Sequence, residues 1–98
     1  MVTHIVMWNL KDEAAGGTKD TNAAVMKERL EGLVGKIDGL ISLKVGRNVV
    51  PGGFDLCLVG QYRDLAALNF YRDHPLHKEV QQFVHQVITQ RVSCDFED

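Results

Sequence analysis

Two histidines three positions apart in His74-Pro75-Leu76-His77, with Tyr71 one helical turn upstream, have the makings of a proton-transfer site. A neutral imidazole near pH 7 can take a proton from a carbon acid or a hydroxyl, while a phenol holds a carbonyl oxygen. Pro75 sets the local geometry. The residue before a proline avoids the helical region, and proline itself suits the first turn of a new helix. One helix therefore ends near Asp73 and another begins at Pro75, which places His74 and His77 at a junction. The amides of the new first turn make a mildly electropositive spot beside His77, and that field favours the uncharged, basic ring. The same residues also support a structural reading, in which His74 caps the broken helix and His77 packs with one ring nitrogen on a carbonyl.

His4 lies among Val2, Val6 and Trp8 in an apolar stretch, where it is either a hydrogen-bonded core residue or a wall of the pocket that holds His77. His4, His74 and Trp8 are thus the candidate binding residues beside the candidate catalytic pair His77 and Tyr71. His85, flanked by Gln82 and Gln86, reads as solvated surface, and Cys57 and Cys94 read as small core fillers. A metal site is not expected. The proline break separates His74 from His77, and no carboxylate or cysteine completes a ligand set. The chain has no phosphate-binding glycine loop, nucleophilic serine signal or dinucleotide fingerprint, so no ATP or NAD chemistry is expected.

The elements that must position these groups follow from periodicity. Val2 to Leu10 reads as a strand, with Val2, His4, Val6, Trp8 and Leu10 on one face and Thr3, Ile5, Met7 and Asn9 on the other. Lys11 to Asp20 reads as a polar loop around Gly16-Gly17. A helix capped by Thr21 or Asn22 runs to about Lys36, with Met26, Leu30, Leu33 and Ile37 as its apolar stripe, widened by Val34 and ended by Asp38-Gly39. Leu40 to Arg47 is a half-buried strand that places Ile41, Leu43 and Val45 together, and Gly46-Arg47-Asn48 closes it in an unusual backbone conformation. Pro51-Gly52-Gly53 turns the chain into a third strand, Asp55 to Tyr62. Asp64 caps the helix Leu65–Asp73, a further helix starts at Pro75 with Leu76, Val80, Phe83 and Val87 on one side, and Arg91 to Glu97 is the last strand.

The order βαββαβ predicts a ferredoxin-like α+β fold, an antiparallel four-stranded sheet with both helical units on one face. The two-sided apolar strands, first and third, belong at its centre, and the half-polar second and fourth at its edges. Helices cover one face only, so the apolar residues of the other face (Ile5, Met7, Cys57 and Val59, or the opposite set) require a cover worth several kcal/mol. A second copy of the chain supplies it symmetrically, and a homodimer is expected.

Length and composition are consistent with this. Ninety-eight residues of 11.0 kDa, 45% hydrophobic and 24% charged, form one globular domain spanning 1–98. A net charge of −2 argues against a nucleic-acid partner. The start of the chain lacks the features of a signal peptide, and no segment is long and apolar enough for a membrane. With two cysteines, the expectation is a cytoplasmic protein with reduced thiols.

Several stretches together carry a family likeness: Thr3-His4-Ile5-Val6-Met7-Trp8, Val45-Gly46-Arg47-Asn48, Phe54 to Val59, Phe70 to His77 and Arg91 to Phe96. In this order, over nearly the whole chain, the sequence resembles the stress-responsive A/B barrel (Dabb) family. The resemblance implies a dimeric α+β barrel. It also implies a chemistry, because plant polyketide cyclases of this family close a linear polyketide thioester by intramolecular aldol condensation without metal or organic cofactor. On that likeness His77 is the base, Tyr71 orients the substrate and His4 lines the pocket, while Leu56 stands where those cyclases carry another pocket histidine. The functional expectation is a small-molecule-binding barrel, a candidate cofactor-independent cyclase or lyase of carbonyl-rich substrates. One alternative is a non-catalytic stress-responsive binding or structural protein. A weaker one is a monooxygenase-like barrel, which needs an oxygen-activating pocket that no motif marks. A small-molecule site requires open space beside Tyr71 and His77, and a filled core there would exclude one.

Overall fold

A computed structural model describes all 98 residues. Strand β1 (Val2–Leu10) is followed by a short hairpin, β2 (Glu13–Ala14) and β3 (Gly17–Thr18), and by helix α1 (Lys19–Glu31). Strands β4 (Leu40–Arg47) and β5 (Leu56–Tyr62), helices α2 (Leu65–Asp73) and α3 (Pro75–Val87), and strand β6 (Ile88–Glu97) complete the chain. The main sheet has the order β4-β5-β1-β6 with every neighbouring pair antiparallel. This is the ferredoxin-like α+β fold, with the two-sided apolar strands β1 and β5 at the centre as their composition required.

The helices lie on the face that carries Val2, His4, Val6, Trp8 and Leu10, all of them buried. Leu56, Leu58 and Tyr62 of β5 point the same way and meet Met26 and Leu30 of α1, Leu68 and Tyr71 of α2, and Val84 and Val87 of α3 in one core. The opposite face carries Met7, Val59, Val92 and Phe96, each between 36% and 45% exposed. Cys94 lies exposed there and Cys57 only partly covered, so neither fills the core. The correction follows from strand parity. Cys57 pairs in register with Met7 and Cys94 with Ile5, both on the side the helices do not reach.

The local structure departs from the periodicity at several points. Thr18, not Thr21, caps α1, and Thr21 instead closes a capping box by returning its hydroxyl to the Thr18 amide at 2.9 Å. The polar segment before it is ordered as the β2–β3 hairpin, which Asn22 ties to α1 through its amide on the Ala14 carbonyl at 2.9 Å. Helix α1 stops at Glu31 with Gly32 as its C-cap, so Leu33 and Ile37 stay buried from a turn while Val34 swings out to 39% exposure. In β4 a register shift between Leu40 and Ser42 turns Ile41 outward, leaving Leu40, Leu43 and Val45 as the core-facing set. Gly46 keeps ordinary strand backbone, and β6 begins at Ile88 directly after α3.

Helix α1 occupies the free edge of β4 at Val45. Lys27 Nζ donates to the Val45 carbonyl at 2.7 Å, and Glu31 Oε2 accepts the Val45 amide at 2.9 Å, as a neighbouring strand would. The two side chains also pair with each other at 2.7 Å, one helical turn apart. At that point the edge has no free N–H or carbonyl to offer an added strand.

Gly39 joins α1's trailing turn to β4 with φ at +86°, and a Cβ there would lie 2.6 Å from the Cβ of Ala67. Gly35 has nearly the same φ, +87°, but faces open space. Gly35→Ala should therefore cost only the left-handed backbone term, about 1 kcal/mol. Gly39→Ala adds a clash with α2 and should cost at least about 2 kcal/mol. Urea midpoints of the two variants check this ordering.

Candidate active site between the helices and the sheet

The α2–α3 junction is built by Pro75. His74 adopts an extended conformation (φ −67°, ψ 135°), ending α2 and capping α3, with its Nδ1 accepting the Leu76 amide at 3.1 Å. Its ring packs edge-on against Phe70, 5.5 Å between centroids. His74 thus does the capping work and does not line the cavity described below. His77, two residues into α3, turns inward and is buried. Its Nδ1 lies 3.2 Å from the Arg72 carbonyl oxygen. A carbonyl accepts only, so Nδ1 carries the proton and Nε2 keeps a free lone pair.

Tyr71 lies against His77, ring centroids 4.2 Å apart, and meets Tyr62 edge-on at 5.0 Å. From the sheet, His4 of β1 gives its Nδ1–H to the carboxylate of Asp95, directly opposite on β6, and so also points Nε2 away from the strand pair. Arg72 completes this group by donating to the other Asp95 oxygen at 2.5 Å. Two uncharged imidazoles, one backed by a carbonyl and one by a carboxylate, thus face a common space.

That space is a cavity of about 30 Å³, lined among others by His4, Trp8, Tyr71, His77 and Gln81, with Arg72 and Arg91 at its solvent side. It is large enough for one water or one small functional group, and the core here is neither open nor filled. Trp8 Nε1, Gln81 Oε1 and Tyr62 Oη are buried without a hydrogen-bond partner. Two of these unpartnered atoms belong to side chains that line the cavity, Trp8 and Gln81.

Burial lowers the His77 pKa; the hydrogen bond to the Arg72 carbonyl pulls the other way, while His4, Arg91 and Arg72 add to the lowering. Burial also dominates at His4, outweighing the Asp95 hydrogen bond that favours its protonated form. Asp95 itself is pulled upward by burial, but hydrogen bonds from His4 and Arg72 more than offset this and hold it below the usual carboxylate range. Tyr71 is pushed up to about 12 by burial, so at neutral pH it is a phenol that donates.

The structure thus brings His4, Trp8, Tyr71 and His77 together and leaves His74 and the exposed His85 outside. Arg72, Gln81, Arg91 and Asp95 were not individually legible as site residues. Gln81 could have been found one helical turn after His77, whereas Arg91 and Asp95 need the β1–β6 register. No group of three or more His, Cys, Asp or Glu side chains is placed to hold a metal, and no helix is long and apolar enough to cross a membrane.

Residues 2–98 match the family model of the stress responsive A/B barrel domain, and the chain belongs to that family. No curated protein matches it in sequence. Among solved structures it is similar to a dimeric protein of unknown function and ferredoxin-like fold from Bacteroides fragilis. The two are 29% identical with a TM-score of 0.83, over 99% of this chain and 95% of that one. SnoaB, a cofactor-independent oxygenase from Streptomyces nogalater, is 10% identical with a TM-score of 0.79, over 99% and 91% of the two chains. The hydroxynitrile lyase of Passiflora edulis is 16% identical with a TM-score of 0.78, over 97% and 90%. These last two likenesses are of fold.

Both histidines should titrate below 6.5 by NMR. Because their folded pKa values lie below the unfolded one, the unfolded chain binds more protons in the intervening window. Stability is then fully present above about 6.5 and falls as pH drops toward the folded values. Asp95→Asn removes the groups that raise His4, so its midpoint should move lower still. An unmoved His4 midpoint would show that Asp95 does not orient it.

Proposed function

We propose that this chain is a small-molecule-binding barrel acting as a cofactor-independent lyase or cyclase on a carbonyl compound, with His77 as its general base. One observation carries the reading: the His77 Nδ1–H is held by the Arg72 carbonyl, leaving Nε2 as a lone pair on the cavity. Burial keeps that ring uncharged at neutral pH. Nε2 takes a proton from the carbon beside a carbonyl, and the C–H electron pair moves onto the carbonyl oxygen as an enolate. The Tyr71 hydroxyl donates to that oxygen. In a cyclisation, the enolate carbon bonds to a second carbonyl of the same molecule, whose oxygen recovers the proton from the His77 imidazolium. His4, oriented by Asp95, lines the opposite wall as a second proton-transfer group.

The cavity of about 30 Å³ admits the reacting group, and the rest of such a ligand leaves by the Arg72–Arg91 side. A cofactor-independent oxygenase and a hydroxynitrile lyase share this fold, which supports placing enzymatic chemistry on it. Nitrobenzisoxazole, whose ring opens on loss of one carbon-bound proton, tests the base without knowledge of the natural substrate. Its turnover should exceed buffer, should already be at its plateau by pH 7, and should fall about 10²-fold or more in His77→Ala. Undiminished turnover in folded His77→Ala rejects the assignment.

We also propose that the chain acts as a homodimer closed through the helix-free face of the sheet. Met7, Val59, Val92 and Phe96 are too apolar a set to leave wetted, and the similar Bacteroides fragilis protein is described as dimeric. Sedimentation should give twice the 11.0 kDa chain mass at micromolar concentration, and Val59→Glu should shift the protein toward single chains. A wild-type protein of single-chain mass would reject the dimer.

A further inference from the structure

Resting on the reading of this cavity as a small-molecule site, we infer that Trp8, Gln81 and Arg91 form a subsite for a carboxylate, so that the ligand is an organic acid. Trp8 is only 2% exposed, and its indole nitrogen, which can only donate, has no acceptor. Gln81 presents one end of its amide to no partner, and a half-turn of that amide puts an N–H donor in the same position. Arg91 stands directly opposite Trp8 across the β1–β6 pair, so both side chains project from the same face into the same cavity.

Charge decides the ligand class. The two cations on the cavity differ, because Arg72 is neutralised by Asp95 at 2.5 Å while Arg91 has no carboxylate and bonds only to the Ser93 hydroxyl at 3.4 Å. Both imidazoles are held uncharged by burial. The site therefore carries one uncompensated positive charge beside buried, unused donors. A water molecule would satisfy Trp8 but would leave the guanidinium without a counter-charge. A carboxylate satisfies both, with one oxygen on the indole N–H and the other toward Arg91, and guanidinium and carboxylate are matched in shape.

Trp8 is the single tryptophan of the chain, so its indole N–H gives one resolved NMR resonance. Benzoate and benzamide serve as probes, since they have nearly the same size and differ in charge. Benzoate should move that resonance saturably, with benzamide at least about tenfold weaker. Arg91 is exposed, so Arg91→Gln should fold normally and should remove the preference for benzoate. Calorimetry on Trp8→Phe, which keeps an aromatic side chain and loses the donor, should show benzoate affinity reduced by a similar factor. Absence of a saturable shift with benzoate overturns the subsite, as does benzoate affinity unchanged in Arg91→Gln. Failure of the base assignment is separable: benzoate would still bind through Arg91 while nitrobenzisoxazole turnover no longer depended on His77.

Discussion

The antiparallel register of β1 against β6 sets His4 opposite Asp95 and Trp8 opposite Arg91. Residues directly opposite in such a pair share a face and lie close enough for their side chains to touch. A slip of β6 by one residue against β1 would turn Asp95 and Arg91 to the other side of the sheet, taking the carboxylate from His4 and the guanidinium from the cavity. The register is held by burial. Val2, Val6, Trp8 and Leu10 are buried against the helices, and a one-residue slip of β1 would turn all of them outward. The apolar core and the polar arrangement thus have one cause, the two-residue period of a single strand.

The second wall of the site comes from a different constraint. A proline cannot continue α2, so the chain breaks at His74 and restarts, and the new helix enters with His77 pointing inward. The carbonyls at the end of α2 lack helical partners, and one of them, on Arg72, takes the His77 ring proton. An unsatisfied helix end is thereby turned into the group that fixes the histidine tautomer. His74 uses its own ring nitrogen to accept the Leu76 amide at the start of α3, which is why two histidines three apart come to opposite uses.

Single-sided helical cover has a further consequence for the other face. Cys57, Cys94, Met7, Val59 and Phe96 lie where a second sheet would meet them, while α1 occupies the β4 edge at Val45 through Lys27 and Glu31. Occupation of the Val45 N–H and carbonyl disfavours strand addition at that point of the β4 edge.

Alternation and helical spacing in the amino-acid sequence were enough to determine the order of the main elements and the central position of β1 and β5, while which face of β1 turns inward was decided by where the helices pack. They also placed the proline junction that displays His77, because each of these follows from side-chain size and backbone chemistry at neighbouring positions. Only the tertiary structure decided that Ile41 turns outward, that Val34 leaves its stripe, and that the two cysteines lie outside the core. A bulge, an early helix end and the parity of paired strands are settled by the packing of distant segments. The same holds for Arg91 and Asp95, whose meaning depends on which residue of β1 stands opposite. A short-range pattern can say that a charge lies on a strand, but only the register says which buried donor it faces.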